Sequence, residues 1–111
     1  MDLNEYQKLA TRTASFGDKK EIDQIVYLAL GVAGEGGEVA EKIKKVLRND
    51  DGVISDEKKL EIKKELGDVL WYLSQMARVL GFTFEDVAQT NINKLADRAA
   101  RGVIKSEGDN R

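Results

Sequence analysis

The sequence predicts an all-α fold, an antiparallel bundle of about four helices completed by oligomerisation. Three observations predict it. The 111 residues contain no proline, so nothing forbids long helices. Alanine, leucine, glutamate, lysine and glutamine are plentiful and strand formers few, a composition that favours helix. Apolar residues recur at helical spacing between clear breaks.

The first helix is expected from about Asp2 to Ala14, with Leu3, Tyr6, Leu9, Ala10 and Thr13 near one face. Phe16-Gly17-Asp18 interrupts it. Asp18 and Glu21 have the spacing of a capping box for a second helix that runs to about Leu47. Asn49-Asp50-Asp51-Gly52 is a turn signal. Ser55 or Asp56 then caps a third helix, which ends near Leu80 with Gly81 as its stop. Thr83, with Asp86 three residues on, starts a fourth helix that ends near Arg101-Gly102. The polar tail from Val103 to Arg111 is expected to be irregular. At this length residues 1–111 form one domain with a modest core.

Composition excludes several chemistries. There is no cysteine and no histidine, so disulfides, thiolate or imidazole metal sites and histidine acid–base catalysis are all absent. A metal has to be held by oxygen, which selects Mg²⁺, with Mn²⁺ as the alternative. The net charge is −2 with both signs interspersed, which argues against nucleic acid as a partner. The N-terminal residues lack the pattern of a signal peptide. The most apolar run, Ile25 to Ala33, is too short for a bilayer. No membrane association and a cytoplasmic location are the resulting expectations.

Two acidic doublets carry the chemistry, Glu35-Gly-Gly-Glu38 and Glu65-Leu-Gly-Asp68. Each places two carboxylates on one helical face. Counting back from Arg48, Glu38 is ten residues away and Glu35 thirteen; counting forward from Ser55, Glu65 is ten away and Asp68 thirteen. In an antiparallel hairpin the doublets lie at one height, with Glu38 opposite Glu65 and Glu35 opposite Asp68. The apolar stripes are Ile25, Leu28, Val32, Val39, Ile43 and Val46 on helix two, and Ile62, Leu66, Val69, Leu73, Met76 and Leu80 on helix three. Each doublet lies to the same side of its stripe, so the four acids are expected to converge on one edge. Like charges so close require a cation.

Helix two also carries Gly31, Gly34, Gly36 and Gly37, each costing up to ~1 kcal/mol relative to alanine in a helix. Close helix packing and backbone room for a bulky ligand are both consistent with them. The run from Ile25 to Ala33 is apolar nearly all round, so a homodimer or a tetramer built as a dimer of dimers is expected.

Gly34-Glu35-Gly36-Gly37-Glu38-Val39-Ala40-Glu41 and Lys64-Glu65-Leu66-Gly67-Asp68-Val69-Leu70-Trp71-Tyr72 resemble the paired E-x-x-E and E-x-x-D motifs of the MazG-like nucleotide pyrophosphohydrolases, in the all-α NTP pyrophosphohydrolase superfamily. Asn91-Ile92-Asn93-Lys94-Leu95-Ala96-Asp97-Arg98 is similar to that family's N-x-x-K-L-x-x-R segment. The resemblance extends from Tyr6 to about Ile104. It implies Mg²⁺-dependent cleavage of nucleoside triphosphates, NTP or dNTP, between the α and β phosphates, giving the monophosphate and pyrophosphate. It implies Glu35, Glu38, Glu65 and Asp68 as metal ligands, Lys94 and Arg98 as phosphate contacts, and Asn91 and Tyr72 near the nucleotide. It also implies an assembly in which a second subunit completes the bundle and the pocket.

Glu38 is the candidate to orient or deprotonate water, with Glu41 as its rival. Lys94 and Arg98, four apart, share a face and are placed to stabilise charge on the transferring group. Trp71 is expected to point away from the doublets, into the core or a subunit interface. The loop from Arg48 to Ser55 offers nothing long enough to close over a nucleotide. Two other readings use the same residues: a phosphoribosyl-nucleotide pyrophosphatase, and a non-catalytic helical module whose acids meet a basic partner.

Overall fold

The computed structural model describes residues 1–111. It holds four helices and no strand: α1 Leu3–Thr11, α2 Glu21–Asn49, α3 Asp56–Val79 and α4 Phe84–Ala100. Three begin on side-chain caps. Asp2 accepts from the Glu5 amide, Ser55 from the Lys58 amide and Thr83 from the Asp86 amide, each satisfying a donor that the first turn leaves free. The expected Asp18–Glu21 capping box does not form. The chain turns at Phe16 to Lys19, where the Lys19 amide meets the Phe16 carbonyl at 3.1 Å. Lys20 occupies the cap position without a side-chain bond, and Gln24 instead turns back to donate to the Lys19 carbonyl at 2.7 Å. Gly81 and Gly102 take positive φ after α3 and α4, the left-handed turn expected of a helix stop.

α2 and α3 form the antiparallel hairpin, and α1 and α4 pack on α3. α2 makes no close backbone approach to α1 or α4; it packs on α3, and the Phe16 ring of the α1–α2 connection meets its Tyr27 at 5.7 Å. The radius of gyration is 16.9 Å, against about 13 Å for a compact domain of this size. The bundle is open.

The core is small and partly polar. Leu28, Val46, Ala10, Phe16, Ala77 and Phe84 are buried, together with Gln7, Ser74 and Gln75. The Gln7 amide ties α1 to the α3–α4 corner: it donates to the carbonyls of Ser74 (3.0 Å) and Phe82 (3.1 Å) and accepts from the Phe84 amide at 3.1 Å. Buried polar groups persist only when paired in this way, and no buried side-chain polar atom lacks a partner.

The stripe expected on α3 is only partly inside. Leu66 is 55% exposed, Leu73 42% and Leu80 48%, while Ser74, Gln75 and Ala77 take the buried positions. The reason is geometric. α1 packs on the C-terminal half of α3 at Ser74 and Gln75, which Gln7 and Thr11 reach by hydrogen bonds, so these polar residues are enclosed. The leucines, spaced by seven, form an uncovered seam.

Candidate active site

Both acidic doublets lie mid-helix on the α2–α3 hairpin, remote from its turn. Glu35, Glu65 and Asp68 each bring one carboxylate oxygen within 4.8 Å of one another. Glu38 falls outside this triad, although its charge still acts on Glu35. Burial and then the charges of Asp68, Glu65 and Glu38, in that order, push the Glu35 carboxyl above the ordinary carboxylate range.

Two acids near the doublets, Glu41 and Glu61, are paired with lysine. Glu61 pairs with Lys58 at 2.8 Å and Lys42 at 3.7 Å, and Glu41 pairs with Lys44 at 2.9 Å. Hydrogen bonds from these lysines are the largest cause holding Glu41 and Glu61 below their usual values. Glu35, Glu38, Glu65 and Asp68 form no ion pair. Two like charges 4 Å apart repel by about 1 kcal/mol in water and about 4 kcal/mol at a protein surface. A set of hard oxygen donors left without a counter-charge fits a divalent metal.

Beside the triad lies an open cleft of about 320 Å³ lined by Glu35, Asp68, Trp71 and Tyr72. Its wall is an aromatic cluster. Trp71 meets Tyr72 edge-on at 5.0 Å and Phe16 edge-on at 6.3 Å, and Tyr27 lies 6.2 Å from Tyr72. The Trp71 indole donates to the Ala10 carbonyl at 3.1 Å and the Thr13 hydroxyl at 2.9 Å. Trp71 was expected to point away from the doublets; instead it ties α1 to α3 with one edge and walls the cleft. The neighbouring Tyr27 phenol first, then burial and the charges of Glu35 and Asp68, raise the Tyr72 phenol above its usual pKa. Tyr6, from α1, is also raised, by burial and then by Asp68.

Tyr6 and Tyr27 were not singled out from the sequence. In the sequence Tyr6 is only part of the apolar face of α1, and Tyr27 lies outside the α2 stripe; the packing of α1 and of the α2 N-terminal half brings them near Asp68 and Tyr72.

Asn91, Lys94 and Arg98 follow one another along one face of α4. The structure does not join them to the acidic set, because α4 makes no close backbone approach to α2. Lys94 and Arg98 instead meet the C-terminal tail, both donating to Asp109 Oδ1 at 2.9 Å. Arg111 is turned onto its own tail, donating to the carbonyls of Val103, Ile104 and Gly108.

The MazG nucleotide pyrophosphohydrolase domain matches residues 25–103, a span that contains both doublets and the basic pair. The chain is also 45% identical over 114 residues to the "Gene 37 protein" of Mycobacterium phage L5, with 100% of each chain covered. No solved structure matches it. The chain belongs to the MazG nucleotide pyrophosphohydrolase family.

Proposed function

We propose that this protein hydrolyses nucleoside triphosphates, NTP or dNTP, at the α–β phosphoanhydride, releasing the monophosphate and pyrophosphate, with Mg²⁺ as cofactor. The observation that carries the reading is the convergence of Glu35, Glu65 and Asp68, with one carboxylate oxygen of each within 4.8 Å of the others and no lysine or arginine paired to any of them, while nearby Glu41 and Glu61 are both paired with lysine. The proposed role is removal of unwanted nucleotides from the cytoplasmic pool. No helix is long and apolar enough to cross a membrane, and nucleic acid and membrane have no part in the proposal.

Glu35, Glu65 and Asp68 would hold the metal, with Glu38 one turn from Glu35 as the fourth ligand. Mg²⁺ bound there supplies neutralisation of phosphate charge and a more acidic water. Glu38 is the better candidate to take the water proton. Glu41 is held by Lys44 and stays below the usual carboxylate range, which makes it a weaker base. In the net reaction one P–O bond of the bridge breaks and one P–O bond to the water oxygen forms. Lys94 and Arg98 would bind the phosphates. Tyr72, with Asn91, would lie against the nucleoside.

Because α4 makes no close backbone approach to α2 within one chain, the proposed unit is a homodimer or a tetramer in which a second copy brings its basic face toward the acidic cleft. The exposed Ile22, Val26 and Leu30 of α2 and the leucine seam of α3 support that assembly.

Pyrophosphate release from a panel of NTPs and dNTPs, with and without Mg²⁺, tests the reading. Metal-dependent release with several nucleotides is the expected result. Release from a phosphoribosyl nucleotide alone would move the enzyme to biosynthesis. No release from any of them would leave an interaction module.

A further inference from the structure

We propose that the C-terminal tail is a displaceable plug, with the Asp109 carboxylate standing where a phosphate oxygen of the substrate binds to Lys94 and Arg98. The inference rests on the reading of those two residues as phosphate contacts. Its own content is that the chain blocks them.

One oxygen, Asp109 Oδ1, accepts from Lys94 Nζ and from Arg98 Nη2, each at 2.9 Å. Arg98 Nη2 also donates to the Asp109 carbonyl at 2.6 Å. A phosphate oxygen bridging the same two cations would need the same position, so the two occupants exclude each other. The Arg98 side chain is 5% exposed, whereas that of Asp109 is 79% exposed. The guanidinium is therefore held under the tail, and the carboxylate reaches it from solvent.

The tail is built to move as a piece. Arg111 gathers three carbonyls of the same segment, at Val103 (3.1 Å), Gly108 (2.5 Å) and Ile104 (3.2 Å). Arg101 donates to the Arg111 carbonyl. Gly102 and Gly108 carry φ of +70° and +85°, conformations that glycine adopts without strain. Gly102 is thus a hinge between α4 and a closed loop. Past that hinge only Val103 and Arg111 are even half-buried, so little apolar area resists release. What holds the plug is the Arg98 bond to the Asp109 carbonyl and two ion pairs to a carboxylate that is 79% exposed, so the charge part of the grip is screened by salt. A triphosphate brings several negative charges to the same cations and displaces a single carboxylate.

The experiment measures binding of inorganic tripolyphosphate, without metal, to the full chain, to Asp109→Asn, to Arg111→Ala, and to Lys94→Ala. Helicity is checked in each. Asp109→Asn removes the competing charge, and Arg111→Ala loosens the loop without touching either cation. Both are expected to bind tripolyphosphate more tightly, on the order of 3- to 10-fold, the worth of one or two exposed ion pairs. KM for a hydrolysed nucleotide should fall by a similar factor, with kcat little changed. Lys94→Ala should weaken binding. If Lys94→Ala weakens binding but Asp109→Asn leaves it unchanged, the plug is wrong and the phosphate contact stands. If Asp109→Asn weakens binding, the tail orders the cations and does not block them, which also overturns the plug. If Lys94→Ala has no effect, the phosphate-contact reading fails and the plug fails with it.

Discussion

The ring of Tyr72 lies directly on the backbone of Gly31: a Cβ placed on that glycine would sit 2.1 Å from Cε1 and 2.2 Å from Cδ1 of the ring. No real contact is that short, so α2 can pass α3 at this height only without a side chain. The ring is fixed from other sides by Trp71 and Tyr27, and it walls the cleft beside Glu35 and Asp68. Gly31→Ala is therefore expected to destabilise the protein by about 1–3 kcal/mol through overpacking, despite alanine's helix advantage of up to ~1 kcal/mol. In Tyr72→Ala the same change should become neutral or stabilising. A double-mutant cycle by chemical denaturation checks this; additive effects would show that the ring moves away freely.

The other three glycines behave differently. A Cβ at Gly34, Gly36 or Gly37 meets nothing within 4 Å. Packing on α3 thus accounts for Gly31 alone, and the other three border open space around Glu35 and Glu38. Alanine at Gly34 or Gly37 should raise the stability of the isolated chain by about 0.5–1 kcal/mol. If that face receives nucleotide or a second copy, each substitution should also raise KM or weaken assembly. Melting curves read beside KM and sedimentation separate the two effects, and a stabilised variant with unchanged KM and assembly would leave those glycines without a role.

Much of this was legible in the sequence because it depended on local rules. Four helices, the side-chain caps at Ser55 and Thr83 and the two glycine stops follow from residues within one turn of each boundary, whereas Asp2, expected as the first helical residue, is the cap of its helix. The matched height of the doublets needed only a count from the turn. What the sequence hid depended on the third dimension. Asp18 and Glu21 have capping-box spacing, but the turn at Phe16 to Lys19 starts the helix on Lys20. Leu66, Leu73 and Leu80 read as core because periodicity reports an apolar face, not what covers it. Tyr6 and Tyr27 join the acidic neighbourhood through packing between elements distant in sequence. The grip of Asp109 on Lys94 and Arg98 belongs to a tail whose polar sequence has no period to read.

Glu38 and Glu41 are three residues apart and differ in their partners. Glu41 is engaged by Lys44 at 2.9 Å, whereas Glu38 has no ion pair. Glu41→Gln should leave kcat within about two-fold, while Glu38→Gln should lower it by 10²-fold or more, the usual range for losing a general base. Steady-state rates at saturating Mg²⁺ decide the assignment, and the reverse ranking would transfer the role to Glu41.

The uncovered apolar residues predict assembly. Ile22, Val26 and Leu30 recur at four-residue spacing on α2, and all three are exposed. A charged residue there, such as Leu30→Glu, leaves this chain's own packing intact because Leu30 is 68% exposed. It should nevertheless dissociate the oligomer and, if the cleft needs a second copy, abolish turnover. Sedimentation velocity at micromolar concentration is the measurement. A wild-type monomer, or a monomeric variant with full activity, would remove the second copy from the site.

Charge repulsion in the acidic set gives a pH signature opposite to that of an ordinary ion-paired carboxylate. Glu35 titrates above its ordinary value near 4.5 in the folded chain, because of burial first and then Asp68, Glu65 and Glu38. The unfolded chain releases that constraint. Between the unfolded and folded pKa values the native state holds more of this proton, so stability falls as pH rises through that window. Asp109, Glu41 and Glu61 are held below their usual values and act in the opposite sense at lower pH, so the Glu35 contribution has to be isolated by difference. In chelator, Glu35→Gln should melt at a higher temperature than wild type at pH 7, and the gap should narrow toward pH 4.5. Mg²⁺ should raise the melting temperature of wild type at pH 7 and do much less for Glu35→Gln, because a ligand that binds only the folded state stabilises it. A gap independent of pH, or an equal gain from Mg²⁺ in both proteins, would show that Glu35 neither bears the repulsion nor helps to hold the ion.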